Sequence, residues 1–96
     1  MGRLRGIMLD KIIKSKVRLR LLRHFLNNPN KYYFQSLLLE NDSLSAVQYE
    51  LKNLVGLGFI KERGAGRRTK YRLNTDFELY QELDNLFKEA EKFKKN

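Results

Sequence analysis

Apolar side chains recur along this chain in two rhythms, and the change from one to the other sets its organisation. Val17, Leu21, Leu22, Phe25 and Leu26 fall on one helical face, with Ser15 placed to cap it and Asn27-Asn28-Pro29-Asn30 to end it. A second helix is predicted from Ser43 to Gly56, capped by Ser43, with Val47, Leu51 and Leu54 buried and Leu44 one turn further back. Gly56 and Gly58 break it. GFIKER and TKYRL then read as two strands joined by the glycines of GAGRR, with Phe59 and Tyr71 facing the core. After an Asn74-Thr75-Asp76 loop, a last helix over residues 76 to 94 carries Leu79, Leu83, Leu86, Ala90 and Phe93 at spacings of four, three, four and three. Phe77, Tyr80 and Phe87 widen that stripe to nearly half the circumference.

Two stretches are less distinct. Residues 4 to 13, LRGIMLDKII, predict a short helix weakened by Gly6. YYFQSLLLE, residues 32 to 40, is read as a short helix with Phe34, Leu37 and Leu38 on its apolar face; a strand is the alternative, which periodicity does not separate from it. Asn41-Asp42 is the turn into the Ser43 helix.

The order helix, short helix, capped helix, basic hairpin, helix is that of an α+β winged helix-turn-helix in a single domain spanning residues 1 to 96. Residues 1–75 form its core, the wing lies near 61–72, and 76–94 are a C-terminal helix used for dimerisation. A 96-residue chain buries a modest share of its surface. The last stripe is therefore expected both to cover its own domain and to join a homodimer through Phe77, Leu79, Leu83, Leu86, Ala90 and Phe93.

Charge narrows the partner. The formal net charge is +9, with net +7 over residues 1 to 26 and +5 over residues 61 to 72, against −1 over 27 to 60 and −2 over 76 to 96. Such a balance favours an anionic partner, nucleic acid first. Cysteine is absent, so disulfide and thiol chemistry are excluded. No apolar run approaches the roughly 20 residues of a membrane span, and no signal-peptide pattern opens the chain, so a cytoplasmic location is expected. Paired carboxylates, a nucleophile with a base and a phosphate-cradling loop are not found, and GAGRR lacks the spacing and lysine of the last. No enzyme activity, cofactor or metal is expected, and the single histidine, His24, is read as an ordinary helix residue.

With Val47, Leu51 and Leu54 turned inward, the outward residues of the second helix are Ser45, Ala46, Gln48, Tyr49, Lys52 and Asn53, with Ser43 at its start. Gln48 suits an adenine edge, Ser45 various bases and Ala46 a thymine methyl; Tyr49 and Lys52 reach phosphate or base, and Ser43 and Ser45 are also placed to meet a phosphate. In the wing, Lys61, Arg63, Arg67, Arg68, Lys70 and Arg72 suit phosphates and a minor groove, with Arg67 and Arg68 foremost. Arg18, Arg20 and Arg23 of the first helix either line the DNA backbone or form a solvated face.

The runs SKVRLRLLRHFLNNP, LSAVQYELKNLVGLGFIKER and GRRTKYRLN, together covering roughly residues 12 to 80, resemble prokaryotic winged helix-turn-helix regulators of the ArsR-like kind. The resemblance implies a homodimer joined through terminal helices that binds a palindromic operator and usually represses. It places recognition on Ser45, Ala46, Gln48, Tyr49 and Lys52, and the wing on Arg67, Arg68 and Lys70. Metal-sensing members use cysteines and histidines, and this chain does not have them. Where the family turn has glycine and an aliphatic residue, Asn41-Asp42 stands here, with Asn41 able to take the left-handed conformation. Competing readings are an architectural DNA-binding protein without sequence preference, a winged-helix module that docks on a protein, and a single-strand or RNA binder using Tyr32, Tyr33 and Tyr49.

Overall fold

The computed structural model describes residues 15–94, with side chains to residue 89. The helix expected over residues 4 to 13 and the side chains of Ala90 and Phe93 lie outside the described residues. The elements run α1 (Lys16–Asn27), β1 (Tyr33–Phe34), a 3-10 turn (Gln35–Leu38), α2 (Leu44–Gly56), β2 (Ile60–Arg63), β3 (Lys70–Leu73) and α3 (Tyr80–Lys94). The three strands form one antiparallel sheet in the order β1-β3-β2. This small α+β domain, three helices and a three-stranded sheet, is compatible with a winged helix.

The first two helices begin and end where their sequence provides for it. The Ser15 hydroxyl accepts from the Arg18 amide at 3.1 Å, satisfying an orphan donor of α1. At the other end the Asn28 side chain donates to the His24 carbonyl at 2.8 Å, and Pro29 cannot continue the ladder. Ser43 caps α2 through the Ala46 amide at 3.2 Å. The end of α2 is a Schellman motif: the Phe59 amide donates to the Leu54 carbonyl at 3.0 Å and the Gly58 amide to Val55 at 2.9 Å. Gly58 takes a φ of +81°, which a side chain would resist.

Between the helices and the inner face of the sheet, Leu21, Phe25, Leu38, Val47, Leu51, Leu54, Ile60 and Leu73 are fully buried. Removing each from water is worth about 1.5–3 kcal/mol. Strand β3 alternates, with Tyr71 and Leu73 buried and Lys70 and Arg72 on the outer face. Phe87 of α3 closes the core, and Leu83, Leu86 and Tyr80 pack against it.

Four expectations are corrected. YYFQSLLLE is not one helix but divides between the strand alternative and a short 3-10 helix. Tyr33 and Phe34 pair with Tyr71 and Lys70 of β3, and one 3-10 turn follows. That turn buries Leu38 and leaves Leu37 exposed, because one short turn aims only one of the two inward, while Phe34 is exposed because it stands opposite Lys70 on the outer face of the sheet. Leu44 also stays exposed, lying in the first turn of α2. The left-handed residue of the inter-helix turn is Glu40, with φ +46°, rather than Asn41. The last helix starts at Tyr80, not residue 76. Asn74 closes a turn through its Oδ1 and the Asp76 amide at 3.1 Å, and Phe77 meets Phe59 edge-on at 5.6 Å before helical geometry begins.

Candidate nucleic-acid interface

The outward face of α2 carries the residues that its periodicity places there. Ser43, Ser45, Gln48, Tyr49 and Lys52 are exposed, Tyr49 to 66 %, and Ala46 is half-buried. The Ser43 hydroxyl is occupied by capping and lies 3.4 Å from the Ser45 hydroxyl, so Ser45 is the freer of the two. Asn53 is half-buried and donates to Glu50 Oε1 at 3.3 Å, which turns its amide along the helix rather than outward.

Glu50 is what sequence reasoning missed. It is 4 % exposed, and its carboxylate accepts from the Ser15 hydroxyl, from Arg18 Nε at 3.1 Å and from Arg18 Nη2 at 2.9 Å. Burial alone would raise its pKa. The hydrogen bonds from Ser15, Arg18 and Asn53, with the Arg18 charge, outweigh burial and hold it below the usual carboxylate value. This cluster joins the capped start of α1 to the middle of α2 and so sets how α2 is presented. A signal was available, since Glu50 stands three residues after Val47 and four before Leu54, on the apolar stripe itself.

A second arginine fixes the corner between the helices. Arg20 donates to Asp42 at 2.9 Å, to Glu40 at 2.8 Å and to the Leu38 carbonyl at 2.7 Å. Arg18 and Arg20 are therefore committed within the fold, to acids of α2 and of the turn, rather than lying free along a phosphate backbone. Asp42, half-buried at this corner, thus holds its place through an ion pair with Arg20.

The hairpin divides into a tip and a face. At the tip, a single 3-10 turn over Gly66–Arg68 presents Arg67 and Arg68 to solvent, held by the Arg68 amide on the Ala65 carbonyl at 3.1 Å. The Thr69 hydroxyl donates to the Gly66 carbonyl at 2.8 Å. Gly64 has a φ of +96°, and a Cβ there would sit 2.7 Å from the Arg68 carbonyl oxygen, so the turn requires glycine. On the strands, Lys61, Arg63, Lys70 and Arg72 share the outer face. Lys61 and Arg63 are exposed, whereas Lys70 and Arg72 are half-buried over aromatic rings, with Arg72 Cζ 4.9 Å from the Tyr32 centroid.

His24 is half-buried, edge-on to Tyr33 at 4.4 Å, and that burial lowers its pKa. Among the described residues no group of three or more His, Cys, Asp or Glu is placed to hold a metal ion. None of the described helices is long and apolar enough to cross a membrane. Of the residues expected at a dimer interface, Phe77, Leu83 and Leu86 are partly buried against their own core, while Leu79 is 54 % exposed. Compared with known proteins, the chain matches no family model, no curated protein and no solved structure.

Proposed function

We propose that this chain is a winged-helix regulator of the ArsR-like kind that binds double-stranded DNA as a homodimer and represses transcription sterically. The observation that carries the reading is the pairing of an exposed polar face on α2 with an exposed Arg67-Arg68 tip on the hairpin that follows it. In this reading Gln48 and Ser45 read base edges in the major groove, and Tyr49 and Lys52 hold phosphate. Arg67 and Arg68 enter the flanking minor groove, where the field favours arginine. Two copies joined through α3 and the turn before it, with Leu79 the exposed member of the stripe among the residues whose side chains are described, present two such helices to half-sites about 34–36 Å apart. The net charge of +9 supports the electrostatic part of that affinity.

The experiment is selection of bound sequences from random duplex DNA at moderate salt, with the mass of the protein measured in parallel. An enriched inverted repeat and a dimeric mass are expected. Tight binding without a motif replaces this reading by an architectural one, and no binding at all replaces it by docking on a protein. In fluorescence anisotropy, Arg67→Ala with Arg68→Ala is expected to weaken binding to every duplex, lowering the salt slope by about 1.8 per subunit and so about 3.6 for the dimer, as these arginines no longer displace counterions. Gln48→Ala is expected to reduce preference among sequences with little change in that slope.

A further inference from the structure

The outer face of the sheet is a separate surface with its own chemistry. Two cross-strand rows lie on it. In one, Phe34 of β1, Lys70 of β3 and Arg63 of β2 stand opposite one another. In the other, Arg72 of β3 faces Lys61 of β2, and the ring of Tyr32 lies beneath the Arg72 guanidinium. Lys70 Nζ lies 5.5 Å from the Tyr32 centroid and 5.9 Å from that of Phe34, so cations and rings interleave across all three strands.

Like charges directly opposite in an antiparallel pair destabilise it, and this hairpin contains two such pairs, Lys61 with Arg72 and Arg63 with Lys70. Among the described residues, acids do little to relieve them. Glu62 stands opposite Tyr71, on the other parity of the strand, and Asp76 approaches Lys61 only to 3.8 Å at an exposed site. Phe34, 43 % exposed, gains little by burial there. Repelling cations around an accessible ring are unfavourable for folding alone and favourable for an anionic polymer that carries planar groups. The tip arginines lie outside this array, and α2 turns its polar face away from the core on the helical side, so neither accounts for it.

We propose that the outer sheet face, built from Tyr32, Phe34, Lys61, Arg63, Lys70 and Arg72, binds single-stranded nucleic acid. Phosphates lie along the cations and a base stacks on Phe34. The sheet's open face accepts a splayed strand whose bases are unpaired, which a duplex does not offer. This surface is additional to the duplex contacts proposed for α2 and the hairpin tip, and does not depend on them.

The test is fluorescence anisotropy with the full chain and a labelled mixed-sequence single-stranded 12-mer, as DNA and as RNA, over a salt series, beside a duplex of random sequence. Phe34→Ala is expected to weaken single-strand binding about 5- to 150-fold, the range for losing one base–aromatic stack, with duplex binding unchanged. Lys61→Gln with Arg63→Gln, both exposed and so safe for folding, is expected to lower the single-strand salt slope by about 1.4. Arg67→Ala with Arg68→Ala is expected to spare the single strand. Wild-type protein that fails to bind the 12-mer at low salt overturns the proposal. So does a Lys61/Arg63 variant that binds it like wild type, or one that loses single-strand and duplex binding in parallel. Failure of duplex binding alone leaves this face standing and removes the other reading.

Discussion

Replacing Glu50 with glutamine tests how α2 is held. The substitution keeps size and shape but puts an amide where Ser15 and Arg18 donate to a carboxylate. One amide oxygen remains to accept; the amide nitrogen cannot, so one donor loses its partner. A hydrogen bond to a charged group is worth about 1.5–3 kcal/mol net. Arg18 is 37 % exposed on its side chain, and water takes over part of its hydration, which places the cost near the lower end, about 2 kcal/mol. For a domain of this size that corresponds to a fall in Tm of about 8–16 °C. The loss also has a pH signature. Glu50 has a lowered pKa in the fold, so its contribution is complete above the unfolded-chain value of about 4.3 and disappears as pH falls through the folded value. Thermal unfolding followed by circular dichroism at pH 7 and at successively lower pH is the assay. The gap between wild type and Glu50→Gln is expected at neutral pH and to close in acid. A Tm at pH 7 within about 2 °C of wild type, or a gap unchanged in acid, refutes the assignment of this carboxylate as a charged tie between α1 and α2.

Three further outcomes are expected. Gly64→Ala forces a Cβ against the Arg68 carbonyl and a side chain into positive φ, and should cost about 1–3 kcal/mol in denaturant unfolding, whereas Gly66→Ala meets no atom within 4 Å and should cost less. Burial lowers the His24 pKa, so the unfolded chain takes the proton more readily; stability should be full above about pH 6.5, fall below it, and vary less with pH in His24→Phe when unfolding is measured from pH 5 to 8. Leu79→Glu alters an exposed position of the proposed dimer stripe while leaving the core untouched, and should give a monomeric mass in sedimentation with wild-type helicity; a dimeric mass places the contact elsewhere.

What the sequence revealed, and what it hid, follows from how locally each element is determined. Val47, Leu51 and Leu54 announce α2 by their spacing, and Ser15 and Ser43 announce the caps, because both signals act within a few residues. The alternation of Tyr71 and Leu73 with Lys70 and Arg72 likewise gives β3 directly. Residues 33–38 were hidden because β1 is two residues long and exists only as a partner of β3. Three consecutive leucines do not say which of them one 3-10 turn will bury. The commitment of Arg18 and Arg20 was hidden because a cation on a helix reads as solvated unless its position is weighed. Arg18 falls on the same line as Leu22 and Phe25, and Glu50 on that of Val47 and Leu54, so both carried a positional sign of burial. In the candidate site, spacing was enough to place Gln48, Tyr49 and Lys52 outward. The division of the hairpin cations into tip and face needed the strand register.

The junction between α2 and β2 has a consequence for engineering. Only Leu57, Gly58 and Phe59 separate the two elements, and each of their amides returns to the last turns of α2. Asn74, at the end of β3, donates its side chain to the Gly58 carbonyl at 2.8 Å and its amide to that of Phe59 at 2.9 Å. Helix and hairpin are thus welded at both strands with no hinge between them. A chimera that exchanges only the hairpin would cut through this weld and lose the angle between the parts. The angle is kept only when the block from Ser43 to Asn74 is moved whole, together with the Ser15 and Arg18 partners of Glu50.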